Sequence, residues 1–283
     1  MKYCYYAGCR SRILKKDYKG IVDFALNNGY SAIEPLAVPS SEKELFQSIE
    51  EAREFRKLLD DKGIEVPCYS VGINIFNDPV RSLDYLKRQA ELAKALGAVY
   101  FHHTVYLPCV MSDNTPTYEA VLDKVTPTIV DIIDSCAQMG LDVLYEPQGG
   151  VINGENFLKF IDYLIKDLGR SSVGVCFDVG NSVFVDYPSY DILEQTIPYI
   201  KHVHLKDFKL TCGKDEVESD HKSKNGSFFD AVLLGDGDMQ VKKCINKLFD
   251  HGYDGYYSTE LTVKNYTDDE AGIRALEFIR SNF

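Results

Sequence analysis

Ionisable side chains end or interrupt several apolar runs in this sequence of 283 residues. They are Glu34, Glu146, Asp178, His202, His204, Lys206 and Glu260. An unpaired carboxylate in apolar surroundings is costly, and a divalent cation bound by several of these groups would remove that cost. Three of these carboxylates, on consecutive or nearly consecutive strands, and one imidazole would form an oxygen-rich ligand set that suits Mn²⁺, Mg²⁺ or Co²⁺ and admits Zn²⁺. The pattern therefore predicts a metal site, provided that the fold brings the ends of these runs together.

Four of these residues also have a local explanation that needs no metal ion. Glu146 precedes Pro147 and could simply end a strand before a turn, and Asp178 could cap the turn that follows it. His204 could be a hydrogen-bonded core histidine, and Glu260 could cap a helix. Several such groups at the ends of nearby strands favour convergence on one site over separate local roles.

A repeated unit of amphipathic helix, glycine and strand supplies the elements that would position these groups. The glycines that follow an amphipathic stretch and precede a β-rich run are Gly29, Gly63, Gly97, Gly140, Gly169 and Gly252. Glycine accepts the left-handed conformation that commonly ends a helix. The predicted strands span 2–6, 32–35, 65–71, 99–105, 142–146, 173–178, 202–206 and 256–261. Several are continuous apolar runs, as expected of buried parallel strands.

Eight strands that alternate with about eight helices predict an α/β fold, a (β/α)₈ TIM barrel that forms a single domain over 1–283. The alternative is an open doubly wound sheet, but the first turn, Ala7–Arg10, lacks the G-x-G-x-x-G pattern of dinucleotide-binding sheets. Residues 208–238 form one long irregular stretch after strand seven. We expect a loop there that covers the site, because chemistry in barrels lies at the carboxyl ends of the strands.

The composition of the chain restricts the partners that it is expected to bind and the compartment in which it is expected to occur. The chain has 31 basic and 43 acidic residues and a net charge of −12, which disfavours nucleic acid as a partner. It contains no run of about 18 apolar residues that would predict a membrane span, and we expect no signal peptide at its N-terminus. Its eight cysteines include no C-x-x-C pair. We therefore expect reduced thiols and a cytoplasmic protein.

The chain resembles the xylose isomerase-like TIM-barrel superfamily, also called AP endonuclease family 2, most specifically in its second half. The similar segments are Leu144–Pro147, Cys176–Asn181, His202–Asp207, Leu234–Asp238 and Gly252–Glu260. In order, they look like the family's strand-five Glu, its F-D-x-G-N/H motif, its H-x-H-x-K-D strand, its L-G-x-G segment and its G-Y-D-G strand with a final Glu. The resemblance runs over the whole chain and is most specific in these segments.

The resemblance implies one divalent metal ion, held by Glu146, Asp178, His204 and Glu260. It also implies that Glu146 and Glu260 are catalytic and handle protons on opposite sides of a substrate carbon. The reaction would remove a proton α to a carbonyl and pass through an enediolate, in a sugar isomerase or epimerase. The substrate would be a small sugar or polyol. Barrels of this family are commonly dimers or tetramers, so a homo-oligomer is expected.

Four further residues are candidates for substrate binding. Lys206 faces the same way as His204, although a salt bridge is its alternative role. Glu34 could accept from substrate hydroxyls or instead pair with a neighbouring side chain, and Asn181 could bind substrate or only shape its turn. Of the adjacent His102 and His103, only one can face the barrel interior, and we expect His103 to do so.

Other functions remain as alternatives. Asn181 and Leu210 occupy positions where ketose 3-epimerases of the family often carry His and Arg, so Lys206 brings the chain closer to the inosose dehydratase and sugar phosphate isomerase/epimerase branch. A dehydratase would use the same metal and then expel a β-hydroxyl. An endonuclease IV-like repair enzyme would need more His ligands than the six histidines here supply. A non-catalytic barrel that kept its metal is the fourth alternative.

Overall fold

A computed structural model describes residues 1–6, 8–39, 44–109, 111–211 and 219–283. Its central feature is one parallel sheet that curls into a ring. The sheet strands are β1 (Lys2–Tyr5), β2 (Ala32–Ile33), β3 (Leu36–Ala37), β4 (Cys68–Val71), β5 (Tyr100–His103), β6 (Asp142–Tyr145), β7 (Val173–Asp178), β8 (Ile200–Leu205) and, after three strands of a smaller sheet, β12 (Tyr256–Thr259). Their order is β2-β1-β12-β8-β7-β6-β5-β4-β3.

The ring closes through the second predicted strand, which is divided into two short pieces. β2 pairs with β1, and β3 pairs with β4, so the two edges of the sheet belong to one continuous segment of chain. Glu34 and Pro35 lie between the pieces. Counting this segment once gives eight strands, and the predicted (β/α)₈ TIM barrel is confirmed.

Helices follow the strands on the outside of the ring. They are α1 (Cys9–Leu14), α2 (Tyr18–Asn28), α3 (Ile49–Asp60), α4 (Pro79–Ala95), α5 (Tyr118–Gln138), α6 (Glu155–Asp162), α7 (Ser189–Thr196), α8 (Val241–Asp250) and α9 (Asp268–Asn282). Side chains of Ser48, Asp78, Thr117 and Thr267 accept backbone N–H groups at the starts of α3, α4, α5 and α9. All six glycines predicted to end helices have positive φ. None of the helices described is long and apolar enough to cross a membrane.

Two regions of buried side chains lie on the two faces of the strands. Outward-facing residues such as Tyr5, Phe101 and Phe177 are buried in the main core that the helices cover. Residues one position removed along each strand point into the ring, where Cys68, Leu144 and Cys176 pack together. Seven cysteines of the described chain are unpaired thiols.

The stretch 208–238 is more ordered than the sequence predicts. It contains an antiparallel sheet made of β9 (Asp207–Leu210), β10 (His221–Lys222) and β11 (Phe228–Val232), in the order β10-β11-β9. The expectation of one long irregular loop is therefore wrong for these residues, whereas positions 212–218 lie outside the described chain. The strands are only two to five residues long, so they carry too little alternation to be recognised in sequence.

Candidate metal centre

Four side chains from neighbouring strands meet at the carboxyl end of the barrel. Asp178 is the last residue of β7 and is in register with His204 of β8, which is in register with Ser258 of β12. Glu146 and Glu260 directly follow β6 and β12. One ligand atom from each of Glu146, Asp178, His204 and Glu260 lies within 4.8 Å of all the others. Parallel strands place their final residues at one end of a barrel, which explains the convergence.

The imidazole of His204 lies at the middle of this cluster. Its Nδ1 is 3.2 Å from Glu146 Oε2 and 2.9 Å from Glu260 Oε2. On the opposite side of the ring, Nε2 is 2.9 Å from Glu34 Oε1. Glu146, Asp178 and His204 are buried, and the side chain of Glu260 is 23% exposed. The cluster is thus open to solvent on the side of Glu260.

The donor set fits a divalent cation. Asp178 Oδ2 and Glu260 Oε2 are buried and form no hydrogen bond within the described chain, although cationic groups lie near both. Buried carboxylate oxygens without hydrogen bonds are costly, and a cation at this point would satisfy them. Three carboxylates and one imidazole suit Mn²⁺, Mg²⁺, Co²⁺ or Zn²⁺. The four residues that we propose as metal ligands are therefore brought together in a suitable arrangement.

A cysteine also comes close to this cluster. Cys176 lies near Glu146 and His204, and the three could form an alternative ligand set. Burial raises the pKa of the Cys176 thiol far above its usual value. A protonated thiol is a poor metal ligand, so the oxygen-rich set with Asp178 and Glu260 is the better one.

Lys206 and Asn181 lie beside the ligands, where the sequence places them. The Nζ atom of Lys206 is 3.1 Å from Asp178 Oδ2 and 3.0 Å from Glu260 Oε1, and it donates to Asn181 Oδ1 at 3.1 Å. Both residues line a cavity of about 230 Å³ at the mouth of the barrel. Lys206 therefore forms the salt bridges that were its alternative role, and it also borders the space that a substrate would enter.

Glu34 is not placed to bind substrate. Its carboxylate is fully buried and lies beneath the cluster. One oxygen accepts from Ser70 at 2.5 Å and pairs with His204, and the other accepts from Ser258 and pairs with His202. Two contacts at each oxygen fill the capacity of the carboxylate. The expectation of a hydroxyl contact from substrate is therefore wrong, and pairing with neighbouring side chains is the correct alternative.

His102, rather than His103, faces the interior of the barrel. The ring of His102 is 5.7 Å from the His204 ring, and its Nε2 is 3.7 Å from Glu146 Oε1. His103 instead points outward, where its Nε2 lies 3.2 Å from the hydroxyl of Tyr145. The expectation for His103 is therefore wrong. Alternation along a strand puts only one of the two inside, and the pairing of β5 with β4 selects His102 by placing it beside Ser70.

The two glutamates of the cluster differ in their affinity for protons. Burial raises the pKa of Glu146 to about 7, and the nearby charge of Glu260 adds to this effect. Burial would also raise the pKa of Glu260, but the charges of Lys206 and His204 lower it to about 2. Near neutral pH, Glu146 can therefore hold or release a proton while Glu260 stays ionised.

Several residues around the site were not identified from the sequence. Tyr6 follows β1, and its ring lies 5.1 Å from that of His204. Gln148, Phe184 and His221 line the cavity that contains Lys206 and Glu260. Tyr6 occupies the same strand-end position as the acidic residues, and that position was the available signal. Phe184 and His221 belong to segments outside the barrel strands, so strand ends could not indicate them.

The chain is similar to curated inosose dehydratases. It is 29% identical over 133 residues to the inosose dehydratase of Geobacillus thermodenitrificans, covering 45% of this chain and 42% of that protein. It is 31% identical over 129 residues to the inosose dehydratase of Clostridium tetani, covering 44% of this chain and 41% of that protein. The chain thus aligns with less than half the length of each of these relatives.

Solved structures share the fold over nearly the whole chain. A xylose isomerase domain protein from Planctomyces limnophilus has a TM-score of 0.72 at 17% identity, covering 99% of this chain and 96% of its own. The IolI protein with a bound zinc atom has a TM-score of 0.71 at 16% identity, covering 100% and 99%. A D-tagatose 3-epimerase-like protein has a TM-score of 0.70 at 19% identity, covering 100% and 97%. At these identities the likeness concerns the fold.

A family model gives the most extensive sequence match. The model described as xylose isomerase-like TIM barrel matches residues 22–282. This range includes the four clustered side chains, together with Lys206 and Asn181. The chain belongs to the xylose isomerase-like TIM-barrel family.

Proposed function

We propose that this chain is a divalent-metal-dependent isomerase or epimerase that removes a proton α to the carbonyl of a small sugar or polyol. The observation that carries the proposal is the meeting of Glu146, Asp178, His204 and Glu260 within 4.8 Å, at the open end of a barrel. These four residues would hold the metal ion. When bound there, the ion would polarise the carbonyl of the substrate and so acidify the neighbouring C–H bond.

Glu146 and Glu260 are the residues that we propose for proton transfer. Glu260 is partly exposed and borders the cavity, so its carboxylate is placed to exchange one proton with substrate. Glu146 has a pKa of about 7 and can deliver or take up the second proton. Lys206 donates to Asn181 and borders the same cavity, where its ammonium can bind a substrate oxygen.

Dehydration of a keto-polyol is the second candidate reaction. The similarity to curated inosose dehydratases favours it, and it begins with the same removal of a proton. The carbanion would then expel a hydroxyl group from the β-carbon, which needs a proton to leave as water. Glu146, whose pKa is about 7, is the group of the cluster that can give that proton. The two reactions therefore differ in the step after proton removal.

Proton exchange with solvent tests the proposal directly. The protein, loaded with Mn²⁺, Co²⁺ or Zn²⁺, would be incubated in D₂O with keto-sugars and an inosose, and each compound would then be analysed by mass spectrometry. Isomerisation or epimerisation adds deuterium without loss of water, whereas dehydration removes one water. We expect Glu146→Gln to slow exchange about 10²-fold or more. Glu155→Gln, which removes an exposed carboxylate of α6, is the matched control.

Metal content supplies the second measurement. We expect about one divalent ion per wild-type chain, and less in Glu260→Gln, by elemental mass spectrometry. A wild-type protein that takes up no added ion would overturn the metal site, and a metal-loaded protein that exchanges no proton with any compound would favour a non-catalytic barrel. A homo-oligomer, the lack of a nucleic-acid partner and a cytoplasmic location stay predictions.

A further inference from the structure

The small antiparallel sheet brings a histidine to the mouth of the barrel. His221 lies on β10 and lines the same cavity as Lys206, Asn181 and Glu260. We propose that His221 binds a hydroxyl group of the substrate at a position remote from the reacting carbon, and that it thereby helps to select polyhydroxylated substrates. This inference rests on the proposed function and concerns a residue outside the barrel strands.

Three phenylalanines hold the His221 ring in place. Its centroid is 5.4 Å from Phe184, 5.8 Å from Phe208 and 5.4 Å from Phe229. Phe229 belongs to β11, which pairs with β10, and Phe208 belongs to β9 on the other side of β11. Phe184 follows β7. The ring is therefore fixed by contacts with three separate segments of the chain. A side chain that is already ordered loses little entropy when it binds a ligand.

The polar atoms of His221 are available to a ligand. Neither ring nitrogen forms a hydrogen bond with any residue that the structure describes, and the residue is only partly buried. Burial lowers the pKa of His221 from its ordinary value of 6.5, so the ring is neutral near pH 7. A neutral imidazole offers one donor and one acceptor, which matches the capacity of a hydroxyl group to do both.

His221 borders one space together with residues proposed for proton transfer and substrate binding. Glu260 and Lys206 lie on the barrel side of this space of about 230 Å³, and His221 lies on the side of the small sheet. A larger cavity of about 440 Å³ adjoins it, because Ala231 and Val263 line both. A substrate longer than three carbons has room to extend from the metal ligands toward the small sheet, where His221 is the residue of β10 that lines the cavity.

Equilibrium binding separates this role from the chemistry. Myo-inositol, a polyol without a carbonyl, would be titrated by calorimetry into the Mn²⁺-loaded wild type, His221→Phe and His221→Gln. His221→Phe keeps an aromatic ring among the three phenylalanines and removes both nitrogens. We expect it to weaken myo-inositol binding about tenfold, which corresponds to about 1.4 kcal/mol. We expect His221→Gln to keep most of the affinity, because its amide can still donate and accept.

Glycerol would serve as the short probe, and its binding should be the same in all three proteins. The inference is overturned if His221→Phe binds myo-inositol as tightly as the wild type does, or if the wild type binds no polyol. Bound Mn²⁺ and deuterium exchange would be measured on the same samples. If the wild type exchanges deuterium and all three proteins bind myo-inositol equally well, His221 has no role in binding and the proposed function is unaffected. If the wild type exchanges no deuterium with any compound, the result counts against the proposed function itself.

Discussion

The carboxylate of Glu34 controls how His204 presents its ring to the other ligands. A contact of 2.9 Å joins His204 Nε2 to Glu34 Oε1, and this contact favours the tautomer with its hydrogen on Nε2. Nδ1 faces Glu146 and Glu260, so it is the nitrogen that would be left to bind a metal ion once it gives up its proton. Carboxylates behind metal-binding histidines generally act in this way.

Replacing Glu34 with Gln should therefore weaken metal binding without unfolding the protein. The amide keeps one accepting oxygen but cannot accept from all the groups that the carboxylate serves, so we expect Mn²⁺ affinity to fall about tenfold or more. Ser258→Ala is the matched control, because it removes one hydrogen bond to Glu34 and leaves the His204 contact. Calorimetric titration measures the affinity, and equal binding by Glu34→Gln and the wild type would contradict this role.

His103 provides a pH-dependent contribution to stability away from the metal centre. Burial lowers its pKa from 6.5 to about 4. Below pH 6.5 the unfolded chain gains a proton on this residue while the folded chain does not, so stability decreases as the pH falls toward 4. The loss reaches about 3 kcal/mol at pH 4. Above pH 6.5 both states are neutral, and this residue adds no pH dependence.

His103→Gln tests this contribution, because an amide can keep a hydrogen bond to Tyr145 and cannot titrate in this range. Urea unfolding of both proteins between pH 4 and 7 would measure it. We expect the wild type to lose more stability than the variant as the pH falls. Parallel curves for the two proteins would show that His103 is not buried as a neutral ring.

The sequence predicts which residues reach the candidate site where a local pattern marks their position at a strand end. Asp178, His204 and Glu260 were identified because each ends or lies in an apolar run of regular spacing. Glu34 has the same local pattern, yet it lies beneath the cluster, since β2 ends before it and the chain bends into β3. The choice between His102 and His103 depends on strand pairing, which a single-strand pattern does not contain.

At the scale of elements, the loop before α8 is held by one carboxylate. Asp207 is buried and accepts from the backbone N–H groups of Gly235, Gly237 and Met239 at 2.9–3.2 Å, and from that of Phe208 at 3.0 Å. A Cβ atom on Gly237 would lie 2.1 Å from Asp207 Oδ1, so only glycine lets the loop approach this closely. Asp207 therefore anchors this loop by hydrogen bonds to its backbone.

Asp207→Asn should loosen this loop and the small sheet that begins at Asp207. The amide nitrogen of Asn cannot accept from the backbone, so at least one N–H group would lose its partner, at a cost of about 1 kcal/mol for a partly buried group. Hydrogen exchange of the amides of Gly235, Gly237 and Met239 should accelerate. Asp236→Asn removes the same charge from an exposed position of the same loop and is the control. Unchanged exchange in Asp207→Asn would contradict the anchoring role.

The small sheet also shows why irregular regions are hard to predict. The run Phe228–Val232 is rich in strand-forming residues, but its partner strands, β9 and β10, are distant in sequence or only two residues long. Their pairing is a tertiary property, whereas the barrel helices and strands are long enough to show their own periods. The residues that border the cavity from this sheet were consequently missed, although the barrel itself was predicted.

At the scale of the whole molecule, the proposed metal site joins half of the ring of strands. Its ligands come from or directly follow β6, β7, β8 and β12, which are consecutive in the sheet order. An ion that binds all four ligands binds only the folded barrel, because the unfolded chain separates them. Binding to the folded state alone raises stability by about 2.7 kcal/mol when the free ion is at 100 times its dissociation constant.

Added Mn²⁺ should therefore raise the thermal unfolding midpoint of the wild type. For a chain of this size, each kcal/mol corresponds to about 2–4 °C, so we expect a rise of about 5–10 °C under those conditions. Glu260→Gln should show a much smaller rise at the same ion concentration, and Glu277→Gln, on the exposed face of α9, should respond like the wild type. Differential scanning calorimetry after removal and return of the ion measures all three. An equal rise in Glu260→Gln would mean that the ion stabilises the barrel from another site, and the four strand ends would then lose their role as ligands.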